Sequence, residues 1–206
     1  YRLPMLHENA IKLNCGRNAL AYLIESKNIK KVYIPKFNCD CITHLCKRMN
    51  IDFDTYSIDK SFRPIFNKEL NAGECFYLIN YYGQISNTEI EVYKGKYKNI
   101  IVDNAQAYFQ MPVEGIDTLY TCRKFFGVSD GAILYTDKKL NRKLDIDESF
   151  NRMRFVLGRF ERSASEFYIE SSENNDLFDN ESIKYMSKLT QNLLHGIDYG
   201  YVGKKR

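Results

Sequence analysis

An α/β three-layer sandwich, with helices on both faces of a mainly parallel sheet, is the fold class this sequence predicts. Three observations carry it. Short apolar runs alternate along the chain with segments of helical spacing, the pattern of strand–helix–strand units in a parallel sheet. Runs such as residues 99–103 (NIIVD) lack polar alternation, as strands covered on both faces do. And 206 residues, 44% of them hydrophobic, suffice to bury the core of one medium domain.

The first strand is expected at 31–34 (KVYI), closed by Pro35, which has no N–H to extend a ladder. Others are expected at 51–56, 75–80 (CFYLIN), 98–102 (KNIIV), 117–121 and 132–136 (AILYT). Helical spacing appears over 17–27, where Leu20, Leu23 and Ile24 share a face, and over 39–49, where Ile42, Leu45 and Cys46 do. Residues 138–170 are charged and read as helical. Residues 171–181 (SSENNDLFDNE) are polar and acidic and read as a flexible loop. A last helix is expected over 182–195, with Ile183, Met186, Leu189 and Leu193 on its apolar face. Crossovers are expected to be right-handed, and ligands to collect where the strands end.

Composition narrows the function classes. The net charge of +4 forms no concentrated basic face, which argues against a nucleic-acid binder. No apolar run approaches the ~18 residues of a membrane span, and the opening residues do not read as a signal peptide. The cysteines (Cys15, Cys39, Cys41, Cys46, Cys75 and Cys122) are scattered. Cys39-Asp40-Cys41 lacks zinc-knuckle spacing, and no second pair or histidine cluster completes a metal site. They read as reduced, mostly buried thiols of a cytoplasmic protein.

Three stretches carry chemistry. In residues 13–20 (LNCGRNAL), a glycine and polar residues open a helix, either as a plain cap or as an anion cradle built from free N–H groups. In 100–109 (IIVDNAQAYF), Asp103 ends a buried strand, where a carboxylate needs a hydrogen-bonding or cationic partner. It either caps the next helix or holds a protonated ring nitrogen. In 117–134 (DTLYTCRKFFGVSDGAIL), Lys124 stands between Arg123 and two phenylalanines. Such a lysine is either solvated or, beside a cavity or a second cation, poised to lose its proton and condense with an aldehyde. Together, a phosphate cradle, a carboxylate for a pyridinium and a Schiff-base lysine are what pyridoxal 5′-phosphate requires.

The constellation resembles the fold-type I pyridoxal-phosphate enzymes of the aspartate aminotransferase superfamily, and most of all the DegT/DnrJ-type sugar aminotransferases. Their Gly-Thr-like phosphate turn is similar to CGRNAL, with Gly16 at the turn and Arg17 and Asn18 in the polar positions. Their Asp-x-Ala-(His/Gln) strand end is matched by Asp103, Ala105 and Gln106. Their lysine is followed by five residues and then Glu-Gly-(Gly/Ala). Here Lys124 is followed by FFGVS and then Asp130-Gly131-Ala132. The chain departs from the pattern at Leu119, where the family has a phosphate-binding serine; Thr121 would replace it on a shorter turn.

The resemblance implies roles. Asp103 would pair with the pyridine nitrogen, Gln106 would lie close to the ring, and Lys124 would bond the cofactor and move the proton between Cα and C4′. Phe37 stands where the family supplies a stacking residue, though a core role fits it equally. Gly127 and Gly131 would allow tight bends, and Phe125 and Phe126 would shield the approach to Lys124. The implied activity moves an amino group from a small-molecule donor, glutamate, to a keto sugar on a nucleotide, in polysaccharide or secondary-metabolite synthesis. A homodimer is implied, with no metal. The match spans about residues 10–200, so residues 1–206 are expected to form a cofactor-binding large domain without the family's C-terminal small domain, whether truncated or minimal. Two alternatives remain: a cofactor-binding or degenerate module without its own catalysis, and a phosphate-binding α/β protein without pyridoxal phosphate.

Overall fold

Eight strands form one sheet in the computed structural model, which describes residues 2–205. Tyr1 and Arg206, the ends of the expected domain, lie outside the described residues. In chain order the elements are β1 (Ile11–Leu13), α1 (Gly16–Ser26), β2 (Lys31–Pro35), α2 (Asp40–Arg48), β3 (Asp52–Ile58), β4 (Pro64–Ile65) and β5 (Glu74–Ile79). There follow α3 (Asn87–Lys96), β6 (Ile100–Asp103), β7 (Asp117–Thr121), β8 (Ala132–Tyr135), α4 (Arg154–Gly158), α5 (Tyr168–Asn180), α6 (Lys188–Leu194) and α7 (Tyr199–Lys205). The sheet order is β1-β8-β7-β6-β5-β2-β3-β4. The five central strands run parallel, while β8, β1 and β4 are antiparallel to their neighbours.

Alternation along β5 divides the core into layers. Cys75, Tyr77 and Ile79 face α1 and α2, packing with Leu20, Leu23, Ile42 and Leu45. Phe76 and Leu78 face the other way, onto Ile90 and Tyr97 at α3. Every residue of β6 is buried, which explains the unbroken apolar run 100–102. Both α1 and α2 stop at an asparagine in the left-handed region, Asn28 and Asn50, each with φ 52°. Asparagine tolerates that conformation better than other non-glycine residues, so each helix ends where its sequence turns polar.

Three expectations are corrected. Residues 171–181 are not a loop: α5 covers most of them, with Asn174 and Phe178 on its buried side at i,i+4 spacing. The helix buries little apolar surface, Phe178 being its one buried apolar side chain. Arginines hold it instead: Arg17 to Asp179 and Asn175, Arg48 to the Asp179 carbonyl, and Arg152 to Asn174. Residues 138–170 are helical only in their second part, and 138–149 form no helix. Residues 150–170 hold short helical turns at Phe150–Arg152 and Ala164–Phe167, α4 and the start of α5, with Arg152 tied to Asp147 and Ser149 to Ser187. The helix expected over 182–195 is only Lys188–Leu194. Before it, Lys184–Met186 run extended along β1, with backbone bonds between Asn14 and Lys184 and between Met186 and Lys12.

α3, α7, β1 and β4 were not anticipated. α3 buries only Ile90, so it has almost no apolar stripe. Its signature is the capping box, Ser86 receiving the Glu89 N–H while the Glu89 carboxylate accepts from the Ser86 N–H.

Asp130 and Gly131 anchor the C-terminal segment. The fully buried Asp130 carboxylate accepts from the Ser187 N–H at 2.8 Å, the Ser187 hydroxyl at 2.9 Å and the Thr190 hydroxyl. Gly131 has φ 115°, and a Cβ there would lie 3.1 Å from Thr190 Cγ2 and 3.2 Å from Cys122 Cβ. Gly131→Ala is therefore expected to lower stability by roughly 2–5 kcal/mol through backbone strain and overpacking. A denaturant midpoint unchanged from wild type would contradict this.

Among the described residues, no helix is long and apolar enough to cross a membrane. No group of three or more His, Cys, Asp or Glu side chains among them is placed to hold a metal ion.

Candidate active site

The parallel strands β2, β5, β6 and β7 end around a cavity of about 480 Å³. Its walls bring together Gly16 and Arg17 from α1, Phe37 after β2, Asp103 and Gln106 after β6, and Thr121 and Lys124 after β7. Seven of the residues singled out from sequence thus share one space. Asn18 is the exception. It is fully buried behind α1, and its amide donates to Asn14 Oδ1 at 3.0 Å and to the Ser182 carbonyl at 2.7 Å. Its polar group ties α1 to the returning C-terminal strand and leaves nothing for a ligand.

Asp103 is 8% exposed. Its Oδ2 accepts from the Tyr77 hydroxyl at 2.7 Å and its Oδ1 from the Ala105 N–H at 2.8 Å. Burial raises its pKa above the ordinary carboxylate value, against the Tyr77 and Ala105 hydrogen bonds and the nearby Lys124 charge, which pull it down. Tyr77 was not foreseen. It lies mid-strand in an apolar run, and only the alternation of β5 puts its hydroxyl under Asp103.

Lys124 is exposed on the turn after β7 rather than enclosed. Phe125 and Phe126 do not screen it. They pack with Tyr108, at 5.7 and 4.8 Å between ring centroids, and Phe126 packs on Tyr199, pinning the turn that presents the lysine. Gly127 has no left-handed φ; of the two glycines only Gly131 makes a bend that demands glycine.

Arg17 sends its guanidinium to Asp179 and Asn175 on α5, and both Arg17 and Asn175 line the cavity. Among the described residues, three cations on the cavity have no carboxylate partner, Lys124, Arg159 and Arg123, and of these the half-buried one is Arg123. It stacks 5.2 Å over Phe178, and no ion pair or hydrogen bond among the described residues engages it. Burial lowers its pKa, as does the like charge of Arg17 and Arg152. Sequence reading took Arg123 only as a neighbour of the lysine; its partner Phe178 lies in the segment expected to be a loop. Leu119, at the family's serine position, is 2% exposed and packs in the core while touching the cavity, and Thr121, one pleat further, lines the same cavity with a hydroxyl-bearing side chain.

Phe37 is 58% exposed, so a core role is excluded. It stacks on Tyr81 at 5.5 Å, and its carbonyl accepts from the Tyr81 hydroxyl. Gln106 Oε1 accepts from the Tyr82 N–H at 3.3 Å, at a residue held in the left-handed region with φ 55°.

These residues fit pyridoxal phosphate on features of this chain alone. A Cβ built on Gly16 would meet nothing within 4 Å, so the first turn of α1 opens onto free space. Arg123 and the Thr121 hydroxyl face the same cavity, without an acid to neutralise the guanidinium. Asn38 Oδ1, also on the wall, is buried without a partner. And Asp103 is a buried carboxylate lacking the ion pair that burial calls for, which a ring N–H⁺ would supply. Gly16→Ala is expected to leave stability within about 0.5 kcal/mol. It should also weaken retention of pyridoxal phosphate by crowding the anion position; equal retention in a dialysis assay would count against the cradle.

No protein-family model matches the sequence, and no curated protein does. Solved structures do. DesV from S. venezuelae is similar over 95% of this chain and 53% of its own, at a TM-score of 0.53 and 13% identity. A tyrosine aminotransferase from Leishmania infantum is similar over 92% of this chain and 47% of its own, at 0.52 and 11%. A DegT DnrJ EryC1 StrS aminotransferase from Brucella abortus is similar over 92% and 54%, at 0.51 and 13%. The chain thus spans about half the length of these structures. At such identities the likeness is one of fold, and the chain shares the α/β fold of aminotransferases that include the DegT/DnrJ type.

Proposed function

We propose that the chain holds pyridoxal 5′-phosphate and belongs to an aminotransferase acting on a keto sugar. The observation that carries this reading is the convergence of Lys124, Asp103 and the open start of α1 on one cavity at the ends of parallel strands. Bound pyridoxal phosphate supplies an electron sink that allows an amino group to be moved. The Gly16 and Arg17 backbone, Arg123 and Thr121 would hold the phosphate. Asp103, oriented by Tyr77 and the Ala105 N–H, would keep the ring nitrogen protonated. Phe37 and Gln106 would flank the ring, and Lys124 would take the aldehyde carbon and then carry a proton at the substrate Cα.

The donor is proposed to be glutamate and the acceptor a nucleotide-linked keto sugar, in polysaccharide or secondary-metabolite synthesis. The sequence resemblance and the likeness of fold support this choice. A homodimer is the proposed assembly. Phe150, Leu157, Phe160, Tyr168 and Ile169, all at least 59% exposed, form unusual apolar surface on the same segment that lines the cavity through Phe155 and Arg159. Free cysteines throughout the described residues support a cytoplasmic setting.

Glutamate addition to protein reconstituted with pyridoxal phosphate tests the reaction. Bleaching of the yellow band with release of one equivalent of 2-oxoglutarate is expected. A band that forms and does not bleach would mark instead a cofactor-holding module without its own catalysis.

A further inference from the structure

Two thiols that read as inert in the sequence stand on the cavity wall. Cys39 is exposed and Cys41 half-buried, whereas Cys15, Cys46, Cys75 and Cys122 are buried. Cys39 is the N-cap of α2, yet its side chain makes no capping hydrogen bond. Two residues on, Cys41 lies on the same cavity wall, so both side chains line one space. Charges converge on the pair from three other elements: Arg17 on α1 and Lys124 after β7 act on both or one of the sulfurs as cations, and Asp103 at the end of β6 acts on Cys41. No cofactor role claims either sulfur.

We propose that Cys39 and Cys41 are a paired modification site for small disulfide oxidants of the glutathione-disulfide class, with Cys39 as the attacking sulfur and Cys41 as the resolving one. The Cys39 thiolate attacks one sulfur of the oxidant RSSR, forming Cys39–SR and expelling RS⁻, which takes up a proton. Cys41 then gives up its proton and attacks the Cys39 sulfur, forming the Cys39–Cys41 bond and expelling a second RS⁻. Two protein thiols are oxidised and one disulfide is reduced to two thiols. The environment suits these roles. The neighbouring Cys41 thiol, with Arg17 and Lys124, brings Cys39 down to about 6, while its nearness to Cys39 and burial push Cys41 up. The first thiol is ionised at neutral pH and the second keeps its proton until the first has reacted.

The test needs no pyridoxal phosphate, so its outcome is separate from that of the aminotransferase reading. Protein is treated with glutathione disulfide under native conditions and mapped by mass spectrometry. Wild type is expected to lose two hydrogens, with Cys39 linked to Cys41. Cys41→Ser should stop at the glutathione adduct on Cys39, and Cys39→Ser should leave this segment unmodified. Rate alone discriminates poorly, because a more acidic thiolate is also a weaker nucleophile. The pH midpoint of Cys39 alkylation does discriminate: it is expected near 6 in wild type and higher in Cys41→Ala. A midpoint at the ordinary thiol value of about 8.5, or a mapped product in which Cys39 is not linked to Cys41, would overturn the proposal.

Discussion

Lys124→Ala is expected to abolish borohydride-fixable incorporation of pyridoxal phosphate while leaving the fold intact. The lysine is exposed and the turn beneath it is held by Phe125 and Phe126 in the aromatic cluster with Tyr108 and Tyr199, so removing the side chain takes away no packing. Surface truncations of this kind usually change stability by no more than about 0.5 kcal/mol. The two readouts therefore separate: thermal midpoint unchanged, covalent label gone. A variant still labelled to the wild-type extent would place the reactive amine elsewhere.

Asp103→Asn is expected to act on stability and on cofactor retention in opposite directions. Burial raises the folded-state pKa of Asp103 above its value in the unfolded chain. Between those two values the folded state binds the extra proton, so this group's contribution is fully present below the unfolded pKa. It is lost as pH rises through the folded pKa. At neutral pH that loss is a burden on the protein without cofactor, and the isosteric amide removes it, its oxygen accepting from the Ala105 N–H while its NH2 donates to the Tyr77 hydroxyl oxygen. The variant should thus match or exceed wild-type stability at neutral pH, and the difference should shrink on acidification. Cofactor retention should fall, because a charged hydrogen bond to the ring nitrogen is worth about 1.5–3 kcal/mol, or roughly 10- to 150-fold in dissociation constant. Paired denaturation and binding curves at neutral and acid pH would decide it. A variant less stable at neutral pH with undiminished binding would remove Asp103 from the site.

Where apolar spacing determines an element, it was legible. The six strands read from sequence match β2, β3, β5, β6, β7 and β8 within a few residues, and the covered faces of β5 and β6 are apolar without interruption. What was not legible depends on polar contacts between distant segments. α5 buries a single apolar side chain, Phe178, and is tied down by Arg17, Arg48 and Arg152, all outside it in sequence. Asn18 looked like a ligand in the phosphate turn because its neighbours do line the cavity; that its amide points backwards to Ser182 depends on a strand 164 residues away. The exposure of Cys39 likewise follows from how α2 starts, which periodicity does not reveal. Lys124, Asp103 and Gly16 were readable because each lies at the end of an element whose position the apolar pattern had already set.

The central claim, that these three meet pyridoxal phosphate in one cavity, is tested most directly by reconstituting the wild-type protein with the cofactor, reducing with borohydride and mapping the labelled peptide. The account predicts a single phosphopyridoxyl group on Lys124. Label on another lysine, or none, would contradict it.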